Sequence, residues 1–207
     1  MPVIKHKDQR VAVLMDVQNM YHSAKNIFQA RVNFKAVLTA AVAGRKLIRA
    51  LAYVIKTESG EEQNFFDALT KIGIEIKSKD LQIFPGGMKK ADWDVGIAID
   101  ALELSKRTDA VVLISGDGDF VPLVNYLKMN GAQVEVASFG QSTSSRLIQA
   151  ADEFTDLGLK PEKFLNEVTA AKSHTPPLSS GSPTRQSRNS GKTRESNKTR
   201  SSDLIRG

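Results

Sequence analysis

Residues 110–120 read AVVLISGDGDF, and the fold follows from them. Ala110 to Ser115 carry no charge and are mostly branched and apolar. Such a run marks a strand buried on both faces. Ser115-Gly116-Asp117-Gly118-Asp119 then turns the chain, its two glycines allowing a tight bend and close backbone approach. Residues 120–130 follow as a helix. A buried strand, an acidic glycine loop and a helix, in that order, form part of a βαβ unit with carboxylates at the strand's carboxyl end.

The same grammar extends outward. Residues 11–15 (VAVLM) form another fully apolar run that stops at Asp16, and a helix follows to Phe28. Further strands are expected at 47–55, 74–84 (interrupted near its middle), 134–139 and a short edge segment at 154–157. Helices are expected at 61–72, 93–106 and 144–153. Phe65, Phe66, Leu69 and Ile72 share a face of the first of these, and Gly73 ends it. Val95, Ile99 and Leu102 line a stripe of the second, which Pro85-Gly86-Gly87 precedes as a turn. Strands alternating with helices predict a three-layer α/β/α sandwich around a mostly parallel central sheet. In such sheets ligands sit beyond the carboxyl ends of the strands.

Composition limits the function classes. The absence of cysteine excludes disulfides and thiolate metal sites. No apolar run approaches the roughly 20 residues needed to span a bilayer, and no secretory core opens the chain, so a cytoplasmic protein without membrane partners is expected. The net charge of +6 resides in the last segment: residues 172–207 hold eight Lys/Arg against two Asp/Glu, leaving 21 of each in the rest. The body is therefore not a basic nucleic-acid platform. Its expected organisation is a folded domain over 1–160, a terminal segment over 161–171 and a disordered basic tail over 172–207. The tail is too poor in apolar residues to offset the entropy of ordering. It reads equally as a solubilising appendage or as a source of salt-sensitive attraction to nucleic acid.

Three segments deliver carboxylates to one sheet edge. Asp16 follows the first strand, Asp117 and Asp119 follow the 110–115 strand, and Asp94 opens a helix on a face shared with Ala98, Ala101 and Ser105. Each has an ordinary structural reading: Asp16 as a turn or helix cap, Asp117 and Asp119 as turn and cap, Asp94 as favourable charge at a helix N-terminus. Asn19 reads as a helix cap and Asp100 as part of a solvated face. Together, however, carboxylates converging on one spot repel one another unless a cation neutralises them. Oxygen-only donors select Mg²⁺ or Mn²⁺, and such ions support phosphodiester hydrolysis.

VAVLMDVQN, KKADWDVGIAIDAL and VVLISGDGDFVPLVNYLKMNGAQVEVASF, with the later RLIQAADEFTDL, resemble the NYN domain, a PIN-like nuclease fold, and its LabA-like branch. The resemblance spans residues 10–158. It implies a metal-dependent ribonuclease acting through a metal-activated water, with Asp16, Asp94, Asp117 and Asp119 as metal ligands and catalytic residues. By the same resemblance Asn19, Asp100 and Ser115 are supporting residues. It implies single-stranded RNA as partner, although LabA-like proteins are also associated with regulation of gene expression. A non-catalytic RNA- or protein-binding regulator, with a homodimer possible, is thus the competing reading.

Weaker expectations concern substrate contacts. Lys89 and Lys90 are placed to meet phosphates or to sit in a solvated loop. Thr143, Ser144 and Ser145 open a helix whose amides can hold phosphate or be capped in the ordinary way. Phe65 and Phe66 read as core, Trp93 and Phe84 as the better candidates for exposure near the pocket. A phospho-accepting receiver is disfavoured because the 134–139 strand ends without a lysine. A haloacid-dehalogenase-like phosphatase is disfavoured because Asp16-Val17-Gln18 lacks the second aspartate of DxD.

Overall fold

The computed structural model describes residues 3–56, 62–80, 82–83, 89–90 and 92–166. Phe84, the 85–87 turn and the tail over 172–207 lie outside the described residues, as do the side chains of Lys89 and Lys90. The elements run β1 (Arg10–Asp16), α1 (Val17–Phe28), β2 (Arg31–Val32), α2 (Phe34–Val42), β3 (Lys46–Lys56), α3 (Gln63–Lys71), β4 (Glu75–Asp80), β5 (Gln82–Ile83), β6 (Lys89–Lys90) and α4 (Asp94–Ser105). They continue with β7 (Ala110–Ile114), α5 (Val121–Met129), β8 (Gln133–Ser138), α6 (Ser145–Ala150), β9 (Glu153–Asp156), α7 (Pro161–Phe164) and β10 (Leu165–Asn166).

Six strands form one sheet in the order β4-β3-β1-β7-β8-β9, and every pair in it is parallel. Alternate residues of β1 point to opposite layers. Val11, Val13 and Met15 join one core with Met20 and Ala24 of α1, Val37 and Leu38 of α2 and Leu69 of α3. Ala12 and Leu14 join the other core with Ile97 and Ala101 of α4, Val124 and Leu127 of α5 and Leu147 of α6. The expected three-layer sandwich is therefore the observed one. No helix among the described residues is long and apolar enough to cross a membrane.

From the central strand β1 the chain steps outward to β3 and β4, then returns to the other side of β1 with β7, β8 and β9. The loops after β1 and β7 leave in opposite directions, opening a crevice at this switch point. Asp16 and the Ser115–Asp119 loop lie on its two lips.

Three local differences from the sequence reading have physical causes. The 74–84 strand divides: β4 pairs with β3 up to Asp80, whereas β5 leaves the main sheet and pairs antiparallel with β6. Helix α2 is an element that the sequence pattern does not announce. Asn33 caps it by accepting from the Ala36 amide (3.1 Å), and Phe34, Val37, Leu38 and Ala41 are its buried face. In α4 the inward face is Ile97, Ala101 and Leu104, while Val95 and Ile99 are 71% and 56% exposed. The sequence stripe through Val95, Ile99 and Leu102 thus marks mainly the outer side of the helix, because Asp94 and small Ala101 turn toward the sheet.

Candidate metal centre

Asp16 ends β1 and caps α1: its Oδ1 accepts from the Asn19 amide (3.0 Å). Its Oδ2 accepts from Ser115 Oγ (3.2 Å). The Ser115 hydroxyl also accepts from the Asp117 amide (3.3 Å). Asn19, one turn into α1, accepts from the Gly116 amide through Oδ1 (2.9 Å). Asn19 is therefore a clamp between the two lips of the crevice, and the capping role falls to Asp16. Asp117 caps the short 3-10 turn that follows, accepting from the Asp119 amide (2.9 Å).

The loop glycines answer to packing. A Cβ on Gly116 would stand 3.0 Å from both Ser138 Oγ and Ser142 O, and one on Gly118 would stand 2.7 Å from Ser144 Oγ. The close approach they allow is to the neighbouring 142–144 loop, which is pinned by the Ser144 amide donating to Gly116 O (2.9 Å).

These constraints bring Asp117 and Asp119 to the N-terminus of α4, where Asp94 is the first residue. One carboxylate oxygen from each of Asp94, Asp117 and Asp119 lies within 4.8 Å of the others, close enough to share a metal ion. Asp16 stands outside this tightest group but within its field. Burial, and then the charges of Asp117, Asp16, Asp92 and Asp119, push the Asp94 carboxyl above the ordinary aspartate range. Asp16 is also pushed up, chiefly by burial and in part by Asp117, against the hydrogen bonds it accepts. A group of hard oxygen donors under mutual repulsion fits Mg²⁺ or Mn²⁺ and offers nothing to a soft metal.

Asp100 is not brought to this group. Its carboxylate accepts from Tyr53 Oη (2.7 Å) and Lys77 Nζ (2.7 Å). Neither a metal-side position nor the solvated face read from sequence describes it; it ties α4 to β3 and β4. Trp93 is half-buried. Its Nε1 donates to Val54 O (2.8 Å), its ring meets Tyr53 edge-on at 5.4 Å and the Lys79 ammonium lies 4.5 Å from it. The indole braces the start of α4 and so helps aim Asp94. Sequence reasoning missed Lys77 and Tyr53, which reach this region from strands distant in sequence.

Thr143 turns its hydroxyl to Phe139 O (2.8 Å), which occupies the hydroxyl's only proton. Ser145 is exposed at the first residue of α6.

Asn19→Ala removes the partner of the buried Gly116 amide. Such a loss costs about 1–3 kcal/mol, and partners that orient metal ligands typically matter 10–100-fold in affinity or activity. The expected result is a lowered melting temperature together with Mn²⁺ affinity weakened by about that factor. A variant with unchanged ion affinity would show that the clamp does not set the loop.

An α/β protein with a clustered set of aspartates across the switch point of a parallel sheet is the class that fold and site define. The NYN domain family matches residues 10–159, and the chain belongs to that family. It is 26% identical over 162 residues to the low amplitude and bright protein LabA of Synechococcus elongatus, a match covering 73% of this chain and 85% of that one. The crystal structure of a protein of unknown function from Vibrio parahaemolyticus superposes with a TM-score of 0.71 at 30% identity. That likeness covers 79% of this chain and 100% of the other.

Proposed function

We propose that the protein is a divalent-metal-dependent ribonuclease that hydrolyses single-stranded RNA at the Asp94, Asp117 and Asp119 cluster. The observation that carries the proposal is the convergence of these three carboxylates, from two segments distant in the chain, within 4.8 Å. Repulsion of this kind costs stability, and a bound cation would turn that cost into a binding site.

Asp94, Asp117 and Asp119 would hold the ion. A divalent ion held there would supply charge neutralisation for the phosphodiester and a water of lowered pKa. The protein's own contribution is positional. Asp16 adds negative potential at the inner wall of the cluster and, through Ser115, fixes the loop that carries Asp117. Asn19 holds Gly116, Trp93 holds the start of α4, and the Asp100–Lys77–Tyr53 group ties the middle of that helix to the sheet. No side chain serves as a nucleophile in this scheme. The ordinary capping roles of Asp16 and Asp117 are also present, so these residues build the loops and charge the crevice at once.

RNA as substrate rests on membership in a family of PIN-like nuclease fold. Lys89 and Lys90, on β6 before α4, and Ser145 are proposed as outer phosphate contacts; Thr143 serves the loop. The basic residues of 172–207 would add salt-sensitive attraction to the same strand.

Purified protein incubated with labelled single-stranded RNA in Mn²⁺, in Mg²⁺ and in EDTA tests this directly. Cleavage in either metal and none in EDTA is the expected result. RNA binding without cleavage under all three conditions would contradict it and favour a non-catalytic regulator.

A further inference from the structure

On the β3 side of β1, between α1 and α3, lies a cavity of about 750 Å³. This is within the range of sites that take organic ligands. Its lining includes Val17 and Gln18, the two residues that follow Asp16 in the chain. Phe34, Phe65 and Phe66 supply an aromatic wall with successive ring centroids 5.6 and 6.0 Å apart. The two helix phenylalanines pack against the core, as read from sequence, and being half-buried they also line this space.

The lip has a different chemistry. Tyr21 is 47% exposed and meets His22 edge-on at 5.6 Å, with the Lys25 ammonium also 5.6 Å from its ring. Arg31 is exposed on the same lip, Gln18 and Asn166 add amide groups, and Glu62 is the one carboxylate among the described lining residues. A purely aliphatic ligand would make no use of these polar groups. A bare phosphate would have no use for the aromatic wall. A flat heteroaromatic ring attached to an anionic backbone satisfies both, with the ring against the phenylalanines and Tyr21 and the phosphate toward Arg31 and Lys25.

We propose that this cavity receives an unpaired nucleobase of the RNA strand that lies across the aspartate cluster. The inference rests on the proposed function for the strand's identity. A base inserted here would anchor the chain on one side of Asp16 while its phosphodiester lies against the cluster on the other.

The test is binding of a 5′-labelled, mixed-sequence single-stranded oligoribonucleotide to the full-length protein in EDTA, read by fluorescence anisotropy. EDTA keeps the strand intact, and the basic tail contributes equally to every variant. Tyr21→Ala and Arg31→Ala are each expected to weaken binding on the order of tenfold, with Tyr21→Phe close to wild type. On a strand made abasic throughout, wild type should fall toward Tyr21→Ala, and Tyr21→Ala should lose little more. Both positions are exposed, so melting temperatures should be unchanged.

Equal binding by wild type and both alanine variants would overturn the proposal while leaving metal-dependent cleavage untouched. So would failure of the wild type to bind the strand, or adenosine monophosphate binding as tightly as the strand in a Tyr21-dependent way. Tyr21-dependent strand binding without cleavage in Mn²⁺ would instead keep the cavity and overturn the nuclease.

Discussion

Asp117→Asn is expected to lower metal-dependent RNA cleavage by at least about a hundredfold with the fold intact. Partners one shell out from a metal typically matter 10–100-fold, and Asp117 belongs to the cluster itself. The substitution keeps the side chain's shape and its ability to accept from the Asp119 amide (2.9 Å), so the 3-10 turn survives. What is removed is one negative charge from a group already under strain from repulsion. In EDTA the variant should therefore melt no lower than wild type, while Mn²⁺ should stabilise it less. Initial rates on labelled RNA and melting curves with and without metal check both halves. A variant that unfolds would show that the residue's capping role dominates; one that cleaves normally would remove the cluster from catalysis.

The largest expected effect on stability lies at the opposite end of the sheet. Arg45, only 1% exposed in its side chain, pairs with Glu135 of β8, itself 5% exposed. The guanidinium also donates to Ala41 O (2.7 Å), Val42 O (3.0 Å) and Gln9 Oε1 (3.1 Å), and Lys5 bridges Glu135 (3.0 Å) to Glu153. Glu135→Gln leaves a buried guanidinium without its counter-charge. Breaking one side of such a pair costs about 3–5 kcal/mol, a fall in melting temperature of roughly 6–20 °C for a domain of this size. Replacing both partners by apolar residues, Arg45→Met with Glu135→Leu, should recover much of that loss.

The pH dependence follows from the carboxylate. Burial pushes the Glu135 carboxyl up, but the hydrogen bonds and charges of Arg45 and Lys5 overcome it, and the net displacement is downward. A carboxylate whose pKa falls on folding stabilises above its unfolded pKa, and that contribution disappears as pH falls through the folded value. The gap in melting temperature between wild type and Glu135→Gln should accordingly narrow in acid. A gap that is constant with pH would assign the loss to packing.

Much of this organisation was legible in the sequence because both main strands beside the site announce themselves. VAVLM and AVVLI are uncharged runs that only a doubly covered sheet can bury, and each ends directly in the segment that bears the aspartates. The places of Asp16, Asp117 and Asp119 followed from those strands and Asp94 from the start of its helix, but the tight group joins Asp94, Asp117 and Asp119 without Asp16. Asp100 was misread because helical angle alone cannot see Lys77 and Tyr53, which arrive from neighbouring strands. Val95 and Ile99 misled for a related reason: apolar periodicity marks a stripe, and the small residues that permit close packing on the sheet lie elsewhere on the helix. Helix α2 had a readable cap in Asn33 and apolar residues at helical spacing, but its β-branched residues blunt the pattern. The Asn19–Gly116 clamp joins residues 97 apart in sequence, and no local pattern reports it.

Titration of Mn²⁺ into the metal-free protein, followed by calorimetry, tests most directly whether the aspartates form an ion site. Wild type is expected to take up the ion near neutral pH, and Asp117→Asn to lose most of that affinity. Uptake should weaken as pH falls, since Asp94 and Asp16 are held above the ordinary aspartate range and protons compete for the same oxygens. Equal uptake by the variant and wild type, or no uptake by either, would contradict the metal centre and the nuclease built on it.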